Sequence, residues 1–285
     1  MNRRNVIVAD SSANLFQADC DGFMPVPLKI LAGEKEYTDD ETLDVAGMLK
    51  ELSAYKGRSS TSCPSVGDWL QAFGDAEDVY GVSLTSRLSG CYNAACIAAE
   101  QYQAEHPGRK VFILDSLSTG PELELLIEEY AELIRIGAGF DVIRNSIAEY
   151  AKQTHLIFSL ESLTNFARNG RVNPALATAA SLLGIRIVGR ASDAGDLEPL
   201  HKCRGEKRAI EQLFAIMQQS GYAGGKVRIR HSDNPKAAQK LAGSIRDAFP
   251  GADIQIGENR GLCSYYAEKG GILVGFVSGQ AAENE

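Results

Sequence analysis

The chain has 285 residues, long for one hydrophobic core and suited to two domains. Apolar residues make up 44% and charged residues 23%, the balance of a soluble globular protein. The net charge of −8 argues against nucleic acid as the main partner, because phosphate binding needs net basic surface.

Read from the N-terminus, MNRRNVIVADSS carries two arginines but an apolar run too short for a signal peptide. No later stretch reaches the ~18 apolar residues of a spanning helix. A cytoplasmic protein without stable membrane insertion is therefore expected. Residues 6–9, 79–83 and 111–114 are short, uncharged apolar runs bounded by turn residues, and they read as buried strands. Between and after them, residues 43–55, 66–73, 90–105, 123–134 and 142–150 carry helical patterns. Strand and helix alternation predicts right-handed crossovers and a mostly parallel sheet. Residues 24–39 break the rhythm. Two prolines and a Gly-Glu turn predict a small β excursion there and no central strand.

From residue 154 the pattern changes. Strands are expected at 156–160, 185–189, 197–203, 227–231, 254–257 and 272–277, with helices at 174–183, 206–219 and 235–249. Asp233 or Asn234 followed by Pro235 is a helix-start signal. Strands arriving in runs predict an α+β unit with a mixed or antiparallel sheet. The expected architecture is thus α/β: an N-terminal, mostly parallel sheet domain over residues 1–153 and a smaller α+β domain over residues 154–285.

Several chemistries lack their signatures. There is no GxxxxGK[ST] loop and no GxGxxG after a strand. The six cysteines show no CxxC pair and no histidine at ligand spacing, so neither a zinc site nor a disulfide framework is expected. The four histidines lie in four separate segments, and no GxSxG elbow accompanies any serine. His231 ends a strand just before a helix start, where it reads as a capping or core residue or as an active-edge residue. Cys96, in an alanine-rich helix, reads as a core residue.

What the sequence does carry is hydroxyl groups at turns. Ser and Thr gather in DSSAN (residues 10–14), TSCPS (61–65), SRLSG (86–90) and DSLSTG (115–120), where strands are expected to end and helices to begin. Such turns meet at the carboxyl edge of an open α/β sheet, where ligands bind. Arg87 is the one cation among them, which suits a small polar or anionic head held by neutral donors. Ser65 is placed to cap the helix from residue 66, leaving Thr61 and Ser62 free. Gly90 beside Ser89 permits close backbone approach at a helix start, an anion-friendly place. Cys63 and Cys91 also sit in these turns, as pocket walls or reactive thiols. Later, RNGR sets Arg168 and Arg171 on either side of an Asn-Gly turn, either solvated at a helix end or facing one direction together.

Taken together, DSSAN, TSCPS, LSGCYNAA, SLESLTNFARNGRVN, HSDNPKAA and the closing GGILVGF resemble the DegV family over nearly the whole chain. That resemblance implies an α/β domain and a smaller α+β domain with a long-chain fatty acid buried between them. It also implies a non-catalytic role, like the binding subunit of bacterial fatty acid kinase, which presents an acyl carboxylate to a separate ATP-using kinase. No cofactor is implied beyond the bound lipid. By matching position, Thr61 and Ser89 would hold the carboxylate, with Ser62, Gly90 and Tyr266 as further head-group candidates. Arg168 and Arg171 are candidates for the kinase partner or its phosphoryl group. The sequence departs from the family where its Gln is Cys63 and its Thr is Cys91. The family histidine before the C-terminal glycines is also absent, and Tyr266 or Tyr265 stands nearest.

The residues leave one rival open, a hydrolase or acyltransferase using Ser89 or Cys63 as nucleophile. Two further basic clusters, Lys226 with Arg228 and Arg230, and Lys202 with Arg204, Lys207 and Arg208, are expected to steer an acidic partner or to lie solvated.

Overall fold

The computed structural model describes residues 5–20, 22–180 and 184–279. The first half contains strands β1 (Asn5–Asp10), β2 (Phe23–Val26), β3 (Lys29–Ala32), β4 (Lys35–Thr38), β5 (Ser59–Ser62), β6 (Asp78–Ser83) and β7 (Lys110–Asp115). Its helices are α1 (Val45–Ala54), α2 (Val66–Phe73), α3 (Cys91–Glu105), α4 (Pro121–Arg135) and α5 (Phe140–Tyr150). The second half adds strands β8 (Thr154–Leu160), β9 (Ile185–Ala191), β10 (Leu197–Arg204), β11 (Lys226–His231), β12 (Asp253–Glu258) and β13 (Ile272–Val277). Its helices are α6 (Thr164–Arg168), α7 (Pro174–Ala180), α8 (Glu206–Gln219), α9 (Pro235–Ala248) and α10 (Gly261–Ala267). The part of the expected helix 174–183 beyond residue 180 lies outside the described residues.

The first sheet is parallel, in the order β2-β1-β6-β7. Pro25 sits in β2 at its edge, where a missing N–H costs no ladder bond. One face packs on α2 and α3 through Trp69, Phe73, Ala95 and Tyr102, and the other on α4 and α5 through Leu126, Tyr130 and Ile147. The second sheet is mixed, in the order β10-β9-β8-β13-β11-β12, and α8 and α9 cover one of its faces. Residues 24–39 divide between two sheets. β2 joins the parallel sheet, whereas β3 and β4 form a hairpin that pairs antiparallel with β5.

That pairing corrects one expectation. TSCPS does not follow a strand of the parallel sheet; Thr61 and Ser62 themselves belong to β5, in the separate three-stranded sheet. A four-residue strand reading SSTS has no apolar alternation to betray it.

Helix α4 joins the two large sheets. It touches β1 and β6 of the first and β8, β11 and β13 of the second. Gly275 of β13 lets it approach, since a Cβ there would stand 2.5 Å from the Pro121 carbonyl. On this shared helix three carboxylates are matched from the second sheet. Thr154 Oγ1 donates to Glu122 Oε1 at 2.7 Å, and burial pushes the Glu122 carboxyl up to about 7. Arg230 clasps fully buried Glu124 with two guanidinium nitrogens, Nε at 2.7 Å from Oε1. Arg228, only 2% exposed, binds Glu128 through Nε at 2.6 Å and Nη2 at 2.7 Å, and Asp253 Oδ2 at 2.8 Å. Lys226 lies 3.4 Å from Glu128. The basic stripe of β11 therefore shares one face, as alternation requires, but that face is the seam with α4 and not a docking surface.

Removing one partner of such a seam leaves a buried charge uncompensated. Arg230→Met is expected to cost about 3–5 kcal/mol of unfolding free energy at pH 8. Burial already raises the Glu124 carboxyl. In the variant it takes up a proton more readily still, so the deficit should narrow toward pH 5. Denaturant titrations at both pH values check this, and a pH-independent loss would count against the ion-pair account.

Candidate functional site

Helix α10 brings the site together. Its reading GLCSYYA places two tyrosines in succession, so their side chains diverge by about a quarter turn. Tyr265 is buried, and its hydroxyl meets Ser59 Oγ at 2.8 Å and accepts from Asn169 Nδ2 at 3.0 Å. Tyr266 turns the other way and meets Thr61 Oγ1 at 2.7 Å. The start of α10 is fixed by Asp39, whose carboxylate accepts from the N–H groups of Gly261 and Leu262, both at 2.9 Å.

A cavity opens beside Tyr266. It encloses about 820 Å³ of space between atoms, its open mouth included. Its walls are mainly apolar. Leu28, Leu84 and Leu88 come from the first half, and Leu156, Phe158 and Leu273 from the second. Thr61, Ser89, Arg171 and Tyr266 supply its polar groups, with Thr85, Ser118 and Thr119 elsewhere on the wall. At the rim the β9–β10 turn closes on the β6–α3 segment: Thr85 Oγ1 donates to the Gly195 carbonyl at 2.9 Å, and Arg87 pairs with Asp196 at 3.3 Å. Gly195 adopts φ +84, and a Cβ there would reach within 2.2 Å of Thr85 Oγ1.

Arg171 arrives by a local device. Helix α6 ends at Arg168, Gly170 turns the chain with φ +73, and the Arg171 N–H bonds back to the Phe166 carbonyl at 2.9 Å. Its Nε donates to Leu88 O at 3.1 Å and its Nη1 to Asn169 O at 2.5 Å. Nη2 has no protein partner among the described residues, and Arg171 brings a positive charge to a wall whose other polar groups are mostly hydroxyls, with Asp196 the acidic one. Arg168 does not share this position; it is exposed, is not part of the cavity wall, and its carbonyl accepts from Arg58. The cation that the sequence placed among the hydroxyl turns, Arg87, is spent on Asp196, and the cavity's cation is Arg171.

The remaining sequence candidates separate cleanly. Ser65 is consumed in a capping box with Asp68, as expected. Ser62 and Gly90 are not part of the cavity wall, and Ser62 bonds the Cys63 carbonyl. Tyr265 is likewise outside it, leaving Tyr266 as the phenol at the cavity. DSSAN is structural. Asp10 accepts from Ser83 Oγ at 2.9 Å and Leu84 N at 2.8 Å, and Asn14 exchanges bonds with Asn259 and Arg260. Lys202, Arg204, Lys207 and Arg208 stay exposed.

Ser89 Oγ lies 3.2 Å from Cys91 Sγ, and no histidine reaches it or Cys63. His106 bonds Tyr102 O, His155 bonds Ser278, His231 accepts from Asn234 N, and His201 is exposed on β10. A nucleophile there would therefore lack a histidine as its base. Among the described residues there is no cluster of three or more metal-ligating side chains, and no helix is long and apolar enough to cross a membrane.

Comparison with known proteins agrees with the fold. The family model described as "Uncharacterised protein, DegV family" matches residues 4–278. The chain belongs to the DegV family. A DegV domain-containing protein of Streptococcus pneumoniae is 38% identical over 274 residues, 95% of this chain and 98% of that one. Among solved structures, a DegV family protein from Eubacterium eligens loaded with heptadecanoic acid has a TM-score of 0.94 at 41% identity, covering 96% of this chain and all of that one. The Streptococcus pneumoniae fatty acid kinase B3 protein loaded with linoleic acid has a TM-score of 0.95 at 37% identity, covering 98% of this chain and 100% of its own.

In this family member Asp39 carries a pH signature. Burial pushes its carboxyl up to about 6 from 3.8, although its N–H partners pull the other way. Between those values the folded chain holds a proton that the unfolded chain has released, so stability falls as pH rises from about 4 to 6. Asp39→Asn, which cannot ionise, is expected to flatten that part of the profile, read from urea midpoints at pH 4, 5, 6 and 7. The slope that persists up to about 7 then belongs to Glu122.

Proposed function

We propose that this chain binds a long-chain fatty acid in the cavity between its two large sheets and presents the carboxylate to a separate ATP-dependent kinase for acyl phosphate formation. The observation that carries the reading is the composition of the cavity: leucine and phenylalanine walls with Thr61, Ser89, Arg171 and Tyr266 lining the same space, Thr61 bonded to Tyr266. The relatives loaded with heptadecanoic and linoleic acids support it, and the fatty acid kinase B3 protein supports the link to a kinase. In this reading residues 1–153 supply Thr61 and Ser89, and residues 154–285 close over the acyl chain and bring Arg171 and Tyr266.

The energetics favour this division of labour. Each buried methylene is worth about 0.8 kcal/mol, so a chain of ~16 carbons offers roughly 10 kcal/mol before ordering costs. Affinity then comes from the tail, and the head site has to keep the carboxylate satisfied. Hydroxyls donate to a carboxylate and to an acyl phosphate alike, so the same groups serve before and after phosphorylation. Tyr266, whose phenol burial pushes up, remains a neutral donor at the place of the family histidine. The role is non-catalytic: the chain supplies position and charge, and the kinase supplies ATP chemistry.

Thr61→Ala and Ser89→Ala should each weaken fatty-acid binding by about 1–3 kcal/mol, roughly 5- to 150-fold, with circular dichroism unchanged. Lipid retained by the double variant at wild-type level, measured by mass spectrometry of extracted protein, would overturn the assignment of the head group.

Charge reversal at Arg171 tests the kinase half. Phosphorylation of bound fatty acid by a purified kinase component should fall for Arg171→Glu in a salt-sensitive way. Equal rates for wild type and an Arg168/Arg171 double variant at low salt would remove the arginines from that step.

A further inference from the structure

Two thiols stand where the family's pattern has an amide and a hydroxyl, and they face each other. Cys63, on the turn after β5, is exposed, and its Sγ lies 3.5 Å from where a Cβ on Gly90 would stand. Cys91, the next residue and the first of α3, is fully buried, and its thiol interacts directly with that of Cys63. Ser89 Oγ is 3.2 Å from the Cys91 sulfur and accepts from the Cys91 N–H at 3.3 Å, so a chain of contacts runs from exposed thiol to buried thiol to cavity hydroxyl. Neither sulfur is held in a disulfide.

We propose that Cys63 and Cys91 form a peroxide-responsive dithiol whose oxidation cross-links the turn carrying Thr61 to the turn carrying Ser89. The order of events follows from exposure. The Cys63 thiolate attacks one oxygen of hydrogen peroxide, the O–O bond breaks, and the departing hydroxide takes the thiol proton as water. Cys91 then attacks the Cys63 sulfenic sulfur, the S–O bond breaks, and its own proton leaves with that oxygen as a second water. The balance is two S–H bonds lost, one S–S bond formed, and peroxide reduced to two waters.

The surroundings favour Cys63 as the attacking group. It borders the start of the 15-residue helix α3 and lies near the Arg171 charge, both of which stabilise a thiolate. Contact with the Cys91 thiol, the largest influence, together with the Arg171 charge holds Cys63 down at about 6 against its burial, while the same contact and then burial push Cys91 up. An exposed, ionisable sulfur beside a buried resolving thiol is the arrangement that redox-sensing pairs share. Three of the other cysteines differ. Cys263 and Cys203 are buried with raised thiols, and burial also raises Cys96.

A consequence for lipid rests on the fatty-acid reading above. A bond of about 2.05 Å in place of thiol contact pins the two hydroxyl-bearing turns together, so head-group passage, and hence exchange of bound fatty acid, slows severalfold.

The test treats the full-length protein at pH 7 with a few equivalents of hydrogen peroxide. Intact mass should show the loss of two hydrogens, and non-reducing peptide maps should join Cys63 to Cys91. Both signals should be absent from Cys63→Ser, whose exposed position leaves folding undisturbed, and from Cys91→Ser. Oxygen added to Cys63 without linkage, or a linkage surviving in either variant, overturns the dithiol. If the disulfide forms but exchange of radiolabelled fatty acid is unchanged, the gating consequence falls. If it forms in a protein that binds no fatty acid, the lipid reading falls and the dithiol stands.

Discussion

The structure depends on burying α4 between two sheets. A helix in that position must be apolar on two faces, and its sequence PELELLIEEYAELIR is apolar on only part of its circumference. The carboxylates left over point at the second sheet, where Thr154, Arg228 and Arg230 meet them. Desolvation is severe there, as the raised carboxyls of Glu122 and Glu124 record. Ion pairs of this kind add little net stability compared with apolar packing, but they penalise any other docking of the two sheets, because misalignment leaves charges buried and alone. The cavity exists because that alignment is held.

Within the cavity, polar groups are positioned by backbone and capping devices more than by packing. Asp39 fixes α10 by its first N–H groups, the Gly170 turn aims Arg171, and a capping box occupies Ser65 so that Thr61 alone of that turn meets Tyr266. The turn and the capping box are local and the Asp39 contact is long-range and buried, so the site is built before any ligand arrives. The rim differs. It closes through an exposed pair, Arg87 with Asp196, and one hydroxyl-to-carbonyl bond. Exposed pairs contribute little, which suits a boundary that a long acyl chain must cross.

Charge also divides by burial. On a chain of net charge −8, the basic residues of β11 are absorbed inside, and the surface near α8 keeps the exposed cluster around Arg208. Arg171 is the exception, a cation at a cavity wall with two nitrogens fixed by carbonyls and a third without a protein partner among the described residues. Fixing a guanidinium in this way removes much of the entropy cost of presenting its last donor.

The sequence by itself determined the class of the fold. Periodicity placed three of the four strands of the parallel sheet, β1, β6 and β7, and every strand of the mixed sheet, because apolar runs bounded by turn residues report burial. It located Thr61, Ser89, Tyr266 and Arg171, the first three from hydroxyl turns and family motifs. It missed β5, α6 and α10, elements of four, five and seven residues. Segments that short are stabilised by their neighbours and carry too little pattern to be read alone. Only the tertiary structure decided that KVRIR faces a buried helix, that DSSAN braces the sheets, and that Arg171 and not Arg168 reaches the cavity. Alternation fixes which side chains share a face, but whether that face meets solvent or another element depends on contacts between residues some hundred positions apart, which no local pattern records.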